Sequence, residues 1–197
     1  MIFIIHSMIV VIDNFIKDKE LLDDIKNDQT FFVDPGHYYY WKGWWNNNAN
    51  TTKKKLIEYI WRYNCPINKL YTIDGFEYWT GVQEADPNSR FRNYLEMHYD
   101  DDVQYRKDTG NRMFPVIGCV YYPLGSEFTG GALNIYTNGE NEQPEVILCK
   151  ENRLIIFDAG LVPHRVDTVI SGTRKAIAIN LWDKEPYSYG KKLFKIE

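Results

Sequence analysis

From residue 73 onward the chain is a succession of short β-branched and aromatic runs separated by turn-forming residues: FEYWTGVQ, RFRNYLEMHY, MFPVIGCVYY, ALNIYT, EVILC, RLIIFD and RKAIAINLW. These are the residues that fit a pleated, half-buried surface. Seven such runs in about 110 residues, with an apolar stretch at the N-terminus as one more, imply a mostly β body whose sheets close or pack face to face. A double-stranded β-helix, the jelly-roll or cupin-like architecture, is the predicted fold.

The first 72 residues have a different texture. MIFIIHSMIVVI is apolar, but it lacks a basic leader and a small-residue cleavage site, is interrupted by His6 and Ser7, and is too short to span a bilayer. A buried first strand is expected, with the cytoplasm as the default address and no membrane association. Asp18 stands as an N-cap before KELLDDIKND and predicts a helix over about 18–28, with Leu21, Leu22 and Ile25 on one face. Thr51 or Thr52 caps KKKLIEYIWRY, a second helix with Leu56, Ile57, Ile60 and Trp61 inward. Between them HYYYWKGWWNNNAN shows no clean period and is expected to be a loop whose rings pack at the domain edge.

A chain of 197 residues suits one domain: an N-terminal strand and helices over about 1–72, packed outside one sheet of a jelly-roll core over about 73–184. The aromatic fraction of 16% is far from the composition of a disordered chain. A net charge of −4 argues against a surface built to neutralise phosphates, so nucleic acid is disfavoured as a partner. Cys65, Cys119 and Cys149 are odd in number and unrelated in spacing, and two of them sit in apolar strand-like runs. They are expected to be reduced, buried thiols.

His98 and Asp100 lie in or at the end of a strand, where residues two apart share a face and can grip one ion. Asp101 faces away, and Asp102 is roughly 13 Å from His98 at about 3.3 Å per residue, which selects Asp100 from the three consecutive aspartates. His164, from a different strand, completes a set of two imidazoles and one carboxylate. That donor set suits non-haem Fe(II) and leaves coordination positions open; Zn²⁺ is its chemical rival. A His-x-Asp tripeptide is expected about 0.3 times by chance in a chain of this composition, so the assignment needs company. Arg174, ten residues after His164, follows a Gly-containing turn and opens an otherwise apolar strand. Its guanidinium offers the fork that matches a carboxylate in bidentate fashion.

With those residues in place, the stretch from about 90 to 184 resembles the 2-oxoglutarate- and Fe(II)-dependent dioxygenase superfamily, and within it the prolyl-4-hydroxylase-like group. The matching features, in order, are HYD at 98–100, CVYYPL at 119–124, FTGGALNIY at 128–136, RLIIFD at 153–158, PHRV at 163–166 and GTRKAIAINLW at 172–182. The resemblance implies that His98, Asp100 and His164 ligate iron. It also makes Arg174 the partner of the 2-oxoglutarate C5 carboxylate and Tyr122 a second contact to that group. Gly130 and Gly131 match a glycine pair needed for close approach or positive φ; Ala132 stands where many members have an acidic residue. Retention of Asp100 favours hydroxylation, since halogenating relatives replace this carboxylate.

The implied cofactors are Fe(II), 2-oxoglutarate as cosubstrate, O₂ and ascorbate. The implied reaction is hydroxylation of an unactivated C–H bond, with 2-oxoglutarate decarboxylated to succinate and CO₂. The implied substrate is a peptidyl prolyl or similar residue, so a protein or peptide is the expected partner. A small-molecule or nucleobase oxygenase and a non-catalytic cupin-like metal-binding protein are the alternatives. Tyr94, Glu96, Asn180 and Trp182, with the segments 38–45 and 83–93, are candidates for the pocket mouth.

Overall fold

A computed structural model of the protein describes residues 8–64, 72–125 and 127–191. Strand β1 spans Ile9–Asp13 and helix α1 Lys19–Asn27; β2 spans Tyr39–Trp41, and α2 covers Thr52–Glu58 and runs on as a π-helical turn over Tyr59–Asn64. Then come β3 Gly75–Glu84, β4 Leu95–His98, α3 Val103–Thr109, β5 Ile117–Tyr122, β6 Thr129–Gly130, β7 Leu133–Ile135 and β8 Glu145–Ile147. Finally come β9 Arg153–Phe157, β10 His164–Val166, β11 Val169–Ser171, β12 Thr173–Trp182 and α4 Tyr187–Gly190.

The predicted mostly β, double-sheet architecture is what the chain forms. One sheet has the order β1-β9-β5-β12-β3-β2 and the other β4-β10-β7-β8, with a small β11-β6 pair, and the pairings are antiparallel. The large sheet is covered on both faces, and alternation along its strands sorts the side chains. Ile177, Ile179 and Leu181 of β12 join Tyr121, Phe76, Leu56, Ile57 and Trp61 in the core under the helices. Ala176, Ile155, Phe157 and Tyr122 face the smaller sheet instead, packing with Leu133, Ile135 and Val166. The period of two along β12 therefore divides one strand between a structural core and the space between the sheets.

The helices begin where their caps predict. The Asp18 carboxylate accepts from the backbone N–H groups of Glu20 and Leu21, and Thr51 Oγ1 accepts from Lys54 N–H. Leu21 and Ile25 of α1, with Leu56, Ile57, Ile60 and Trp61, turn inward.

Three expectations need correction. The aromatic segment expected as a loop contains an edge strand, β2, which pairs with β3. Tyr39 and Trp41 face the helical core while Tyr40 packs against Tyr189 of α4. A strand buried on both faces shows no alternation, which hides it from a periodicity test. The long run at 90–99 pairs only over Leu95–His98. Cys149 lies beyond β8 and is half-buried, whereas Cys119 is buried as expected; both are free thiols. Cys65 and the start of the N-terminal apolar stretch lie outside the described residues. Among the described residues no helix is long and apolar enough to cross a membrane.

Candidate metal centre

The register of β4 against β10 sets His98 opposite His164. Each ring is oriented from its own chain. His98 Nδ1 lies 2.8 Å from the Glu96 carbonyl and His164 Nδ1 lies 3.0 Å from the Val162 carbonyl. A carbonyl only accepts, so Nδ1 carries the proton in both rings and the Nε2 lone pairs are the free donors.

Asp100 follows β4 on a loop tied down by its backbone N–H to the Ala159 carbonyl, 2.9 Å. Its Oδ1 lies 3.5 Å from His98 Nε2 and 3.6 Å from His164 Nε2. Donor atoms of the three residues fall within 4.8 Å of one another. Two neutral imidazole nitrogens and one carboxylate oxygen brought this close together would fit a first-row divalent cation.

The electrostatics agree with a cation-seeking centre. Burial opposes the Asp100 charge, but the bond to His164 and the two imidazoles outweigh it and hold its pKa below the usual carboxylate value. His164 is pushed up: burial works against its cation, and the attraction of the protonated ring to Asp100 overcomes it. His98 is pushed down, by burial first and then by the neighbouring His164.

The next two aspartates have other tasks, as the choice of Asp100 requires. Asp101 pairs with Arg106 at 2.7 Å and with Arg112 at 3.7 Å. Asp102 is the N-cap of α3, accepting from Tyr105 N–H, and it also bonds the Ser188 backbone and hydroxyl.

From the centre a cavity of about 310 Å³ runs between the sheets to Arg174, past Leu133, Phe157, Ala176 and Ala178. Arg174, Ala176, Ala178 and Asn180 occupy the same face of β12, and the two alanines leave the room. Arg174 is 3% exposed and is held by three oxygen acceptors, the Gly131 carbonyl at 3.1 Å, Gln83 Oε1 at 2.6 Å and the Tyr122 hydroxyl at 2.9 Å, with Cys149 Sγ at 3.4 Å sharing the Nε–H. Of the five N–H donors of a guanidinium, those bonds use three. Burial pushes the Tyr122 phenol pKa up, so the hydroxyl stays neutral. The glycine pair performs the expected service. Gly130 and Gly131 have φ of 78° and 68°, and a Cβ on Gly131 would come within 3.0 Å of the Arg174 side chain.

Of the sequence-predicted residues, His98, Asp100, His164 and Arg174 thus line one cavity, while Tyr122 does not line it and reaches it only through its hydroxyl's bond to Arg174. Tyr38, Arg90, Phe91 and Tyr94 line its mouth, while Glu96 is exposed and faces Arg92. A second cavity of about 510 Å³ lies on the outer side of the centre, lined by Tyr38, Trp79, Leu95, Tyr99 and Val103. Sequence reasoning missed Glu77, and it placed Gln83 only in the candidate segment 83–93, not as the acceptor for Arg174. A polar residue inside an apolar strand is the signal that marks both, but their partners lie far away in the chain.

An antiparallel double sheet that carries two histidines and a carboxylate at one end of an internal cavity has the donor set of a facial triad, which could hold one metal ion. Residues 88–182 match the family model of the 2OG-Fe(II) oxygenase superfamily. The fold is similar to a Pseudomonas putida prolyl-4-hydroxylase at 13% identity, covering 91% of this chain and 94% of that one, with a TM-score of 0.61. It is similar to the viral collagen prolyl hydroxylase of Paramecium Bursaria Chlorella virus-1 at 14% identity, covering 90% and 96%, TM-score 0.52. A prolyl 4-hydroxylase from Phytophthora capsici aligns at 15% identity and TM-score 0.54; it covers 91% of this chain, which spans only 59% of that protein. At these identities the likeness is one of fold. No curated protein matches the sequence.

Proposed function

We propose that the protein is a 2-oxoglutarate-dependent hydroxylase in which His98, Asp100 and His164 hold Fe(II), and Arg174 with Tyr122 holds the far carboxylate of 2-oxoglutarate. The observation that carries this reading is Arg174 itself, a guanidinium buried among neutral acceptors in the wall of the cavity that begins at the triad. A buried cation with N–H groups to spare calls for an anion, and a small dicarboxylate or oxoacid spanning the cavity supplies it.

Bound Fe(II) supplies the O₂ activation by which a substrate C–H becomes C–OH while 2-oxoglutarate becomes succinate and CO₂. The chain's own part is positional. The carbonyls of Glu96 and Val162 keep both imidazoles in the ligating tautomer. The apolar wall formed by Leu133, Phe157 and the alanines limits water around the cosubstrate.

For the substrate we propose a peptidyl prolyl or similar side chain. The outer cavity supports this choice: Tyr38 and Trp79, ring centroids 4.8 Å apart, form an aromatic wall that opens to solvent beside the triad. The names borne by the similar folds point the same way.

Anaerobic addition of 2-oxoglutarate to the Fe(II)-loaded protein tests the cofactor assignment. A weak visible charge-transfer band is expected, and protein that holds Fe(II) without developing the band overturns it. A peptide-dependent rise in succinate then tests the substrate class.

A further inference from the structure

Asn180 is 2% exposed, on the same face of β12 as Arg174, and borders the second cavity beside the centre. Its Nδ2 donates to Asp100 Oδ2 at 3.1 Å and faces Glu77 Oε2 at 3.4 Å. The same Glu77 oxygen accepts from Trp182 Nε1 at 3.2 Å. The amide oxygen points the other way, toward Gly118 on the neighbouring strand, where an added Cβ would come 2.7 Å from it. The amide is therefore fixed in one orientation, nitrogen toward the two carboxylates and oxygen in the slot that Gly118 leaves.

The consequence falls on Asp100. One of its oxygens, Oδ2, is occupied by Asn180, and the other, Oδ1, faces both histidine Nε2 atoms. We propose that Asn180, oriented by Glu77 and Trp182, is the positioning residue that makes Asp100 a one-oxygen ligand and thereby sets the affinity and geometry of the metal centre. The proposal rests on the metal-site reading above. Outer partners of metal-bound carboxylates generally act in this way, and their loss weakens metal binding by about 10–100-fold. Without its donor, Asp100 can turn its second oxygen to the metal or rotate away from it.

The test uses Co(II) as probe, titrated into the metal-free full-length protein and followed by calorimetry and by the visible spectrum of the ion. Wild-type binding should be abolished in His164→Ala. Asn180→Ala and the near-isosteric Asn180→Leu should bind Co(II) about 10–100-fold more weakly, with altered visible bands reporting changed carboxylate coordination, while circular dichroism stays that of the folded chain. If either folded variant binds with wild-type affinity and spectrum, the positioning role is wrong. A weaker affinity with an unchanged spectrum and a matching drop in Tm shows a merely structural amide and also overturns it. If wild-type and His164→Ala protein bind alike, the metal-site reading itself fails, an outcome separate from failure at Asn180.

Discussion

His98 and His164 are direct cross-strand partners on β4 and β10, their ring centroids 4.3 Å apart, although 66 positions separate them in the chain. Antiparallel pairing thus brings two metal-type nitrogens together without help from a loop, and only the carboxylate has to be delivered by a turn. Removing either histidine also removes a partner from the sheet interior.

The pair predicts opposite pH responses in metal-free and metal-loaded protein. His164, its pKa raised above 6.5 by Asp100, gives the metal-free protein stability that is fully present below pH 6.5 and lost as pH rises through the folded value. His98, its pKa lowered, acts the other way and loses stability for the fold as pH falls below 6.5. Metal binding needs both rings neutral, so Co(II) affinity should fall as pH drops through the raised His164 value. Thermal unfolding between about pH 5 and 8.5, with and without Co(II), measures this; a metal-induced stabilisation that does not grow with pH contradicts it.

Arg174→Ala should raise the 2-oxoglutarate requirement roughly 30-fold or more, the effect of losing a buried charge-assisted contact. Co(II) affinity should be unchanged, because Arg174 lies at the other end of the cavity. Titrations of cosubstrate and metal separate the two effects, and a collapse of metal binding would make Arg174 structural.

The three consecutive aspartates should behave as three different residues. Asp100→Ala abolishes metal binding. Asp102→Ala removes the α3 N-cap and should lower stability by about 0.5–2 kcal/mol, with metal binding retained. Asp101→Asn weakens the pairs of a 5%-exposed carboxylate with Arg106 and Arg112 and should lower stability by about 1–3 kcal/mol, with metal binding retained. Chemical denaturation and metal titration on the same samples distinguish them.

Glu77 is pushed up to about 8, by burial and then by the nearby Asp100 charge. A carboxyl protonated in the fold and ionised when unfolded makes the metal-free protein less stable as pH rises from about 4.5 to about 8. Glu77→Gln should remove that slope, which is at most about 1.4 kcal/mol per pH unit for one proton. Denaturant midpoints of the two proteins across the window should therefore diverge with rising pH; parallel curves refute the shift.

On the opposite face of β12, Ile179 is fully buried under the helices. Ile179→Ala should destabilise the protein by about 2–5 kcal/mol, measured by denaturant unfolding. Co(II) affinity of the folded fraction should stay near wild type.

The double sheet was legible because the β-branched runs and their turns are local. That His98, Asp100, His164 and Arg174 come together was legible because strand alternation and motif order survive in one dimension. The edge strand Tyr39–Trp41 was not, since burial on both faces erases its period. Nor was α3, a short helix that buries no apolar stripe. The tie from Trp182 through Glu77 and Asn180 to Asp100 escaped because it depends on β3 lying beside β12, roughly 100 positions away in sequence.

Strand β12 is hydrogen-bonded to β3 along its whole length and to β5 over 177–181, and it carries Arg174 at one end of its inner face and Asn180 at the other. Their Cα atoms are about 20 Å apart at roughly 3.3 Å per residue, a span that no side-chain rearrangement alters. The sheet therefore works as a fixed gauge. Replacing Ala176 or Ala178 changes the room between the sheets but not the distance between the two ends of the strand, because that distance is set by backbone pairing and not by the cavity wall.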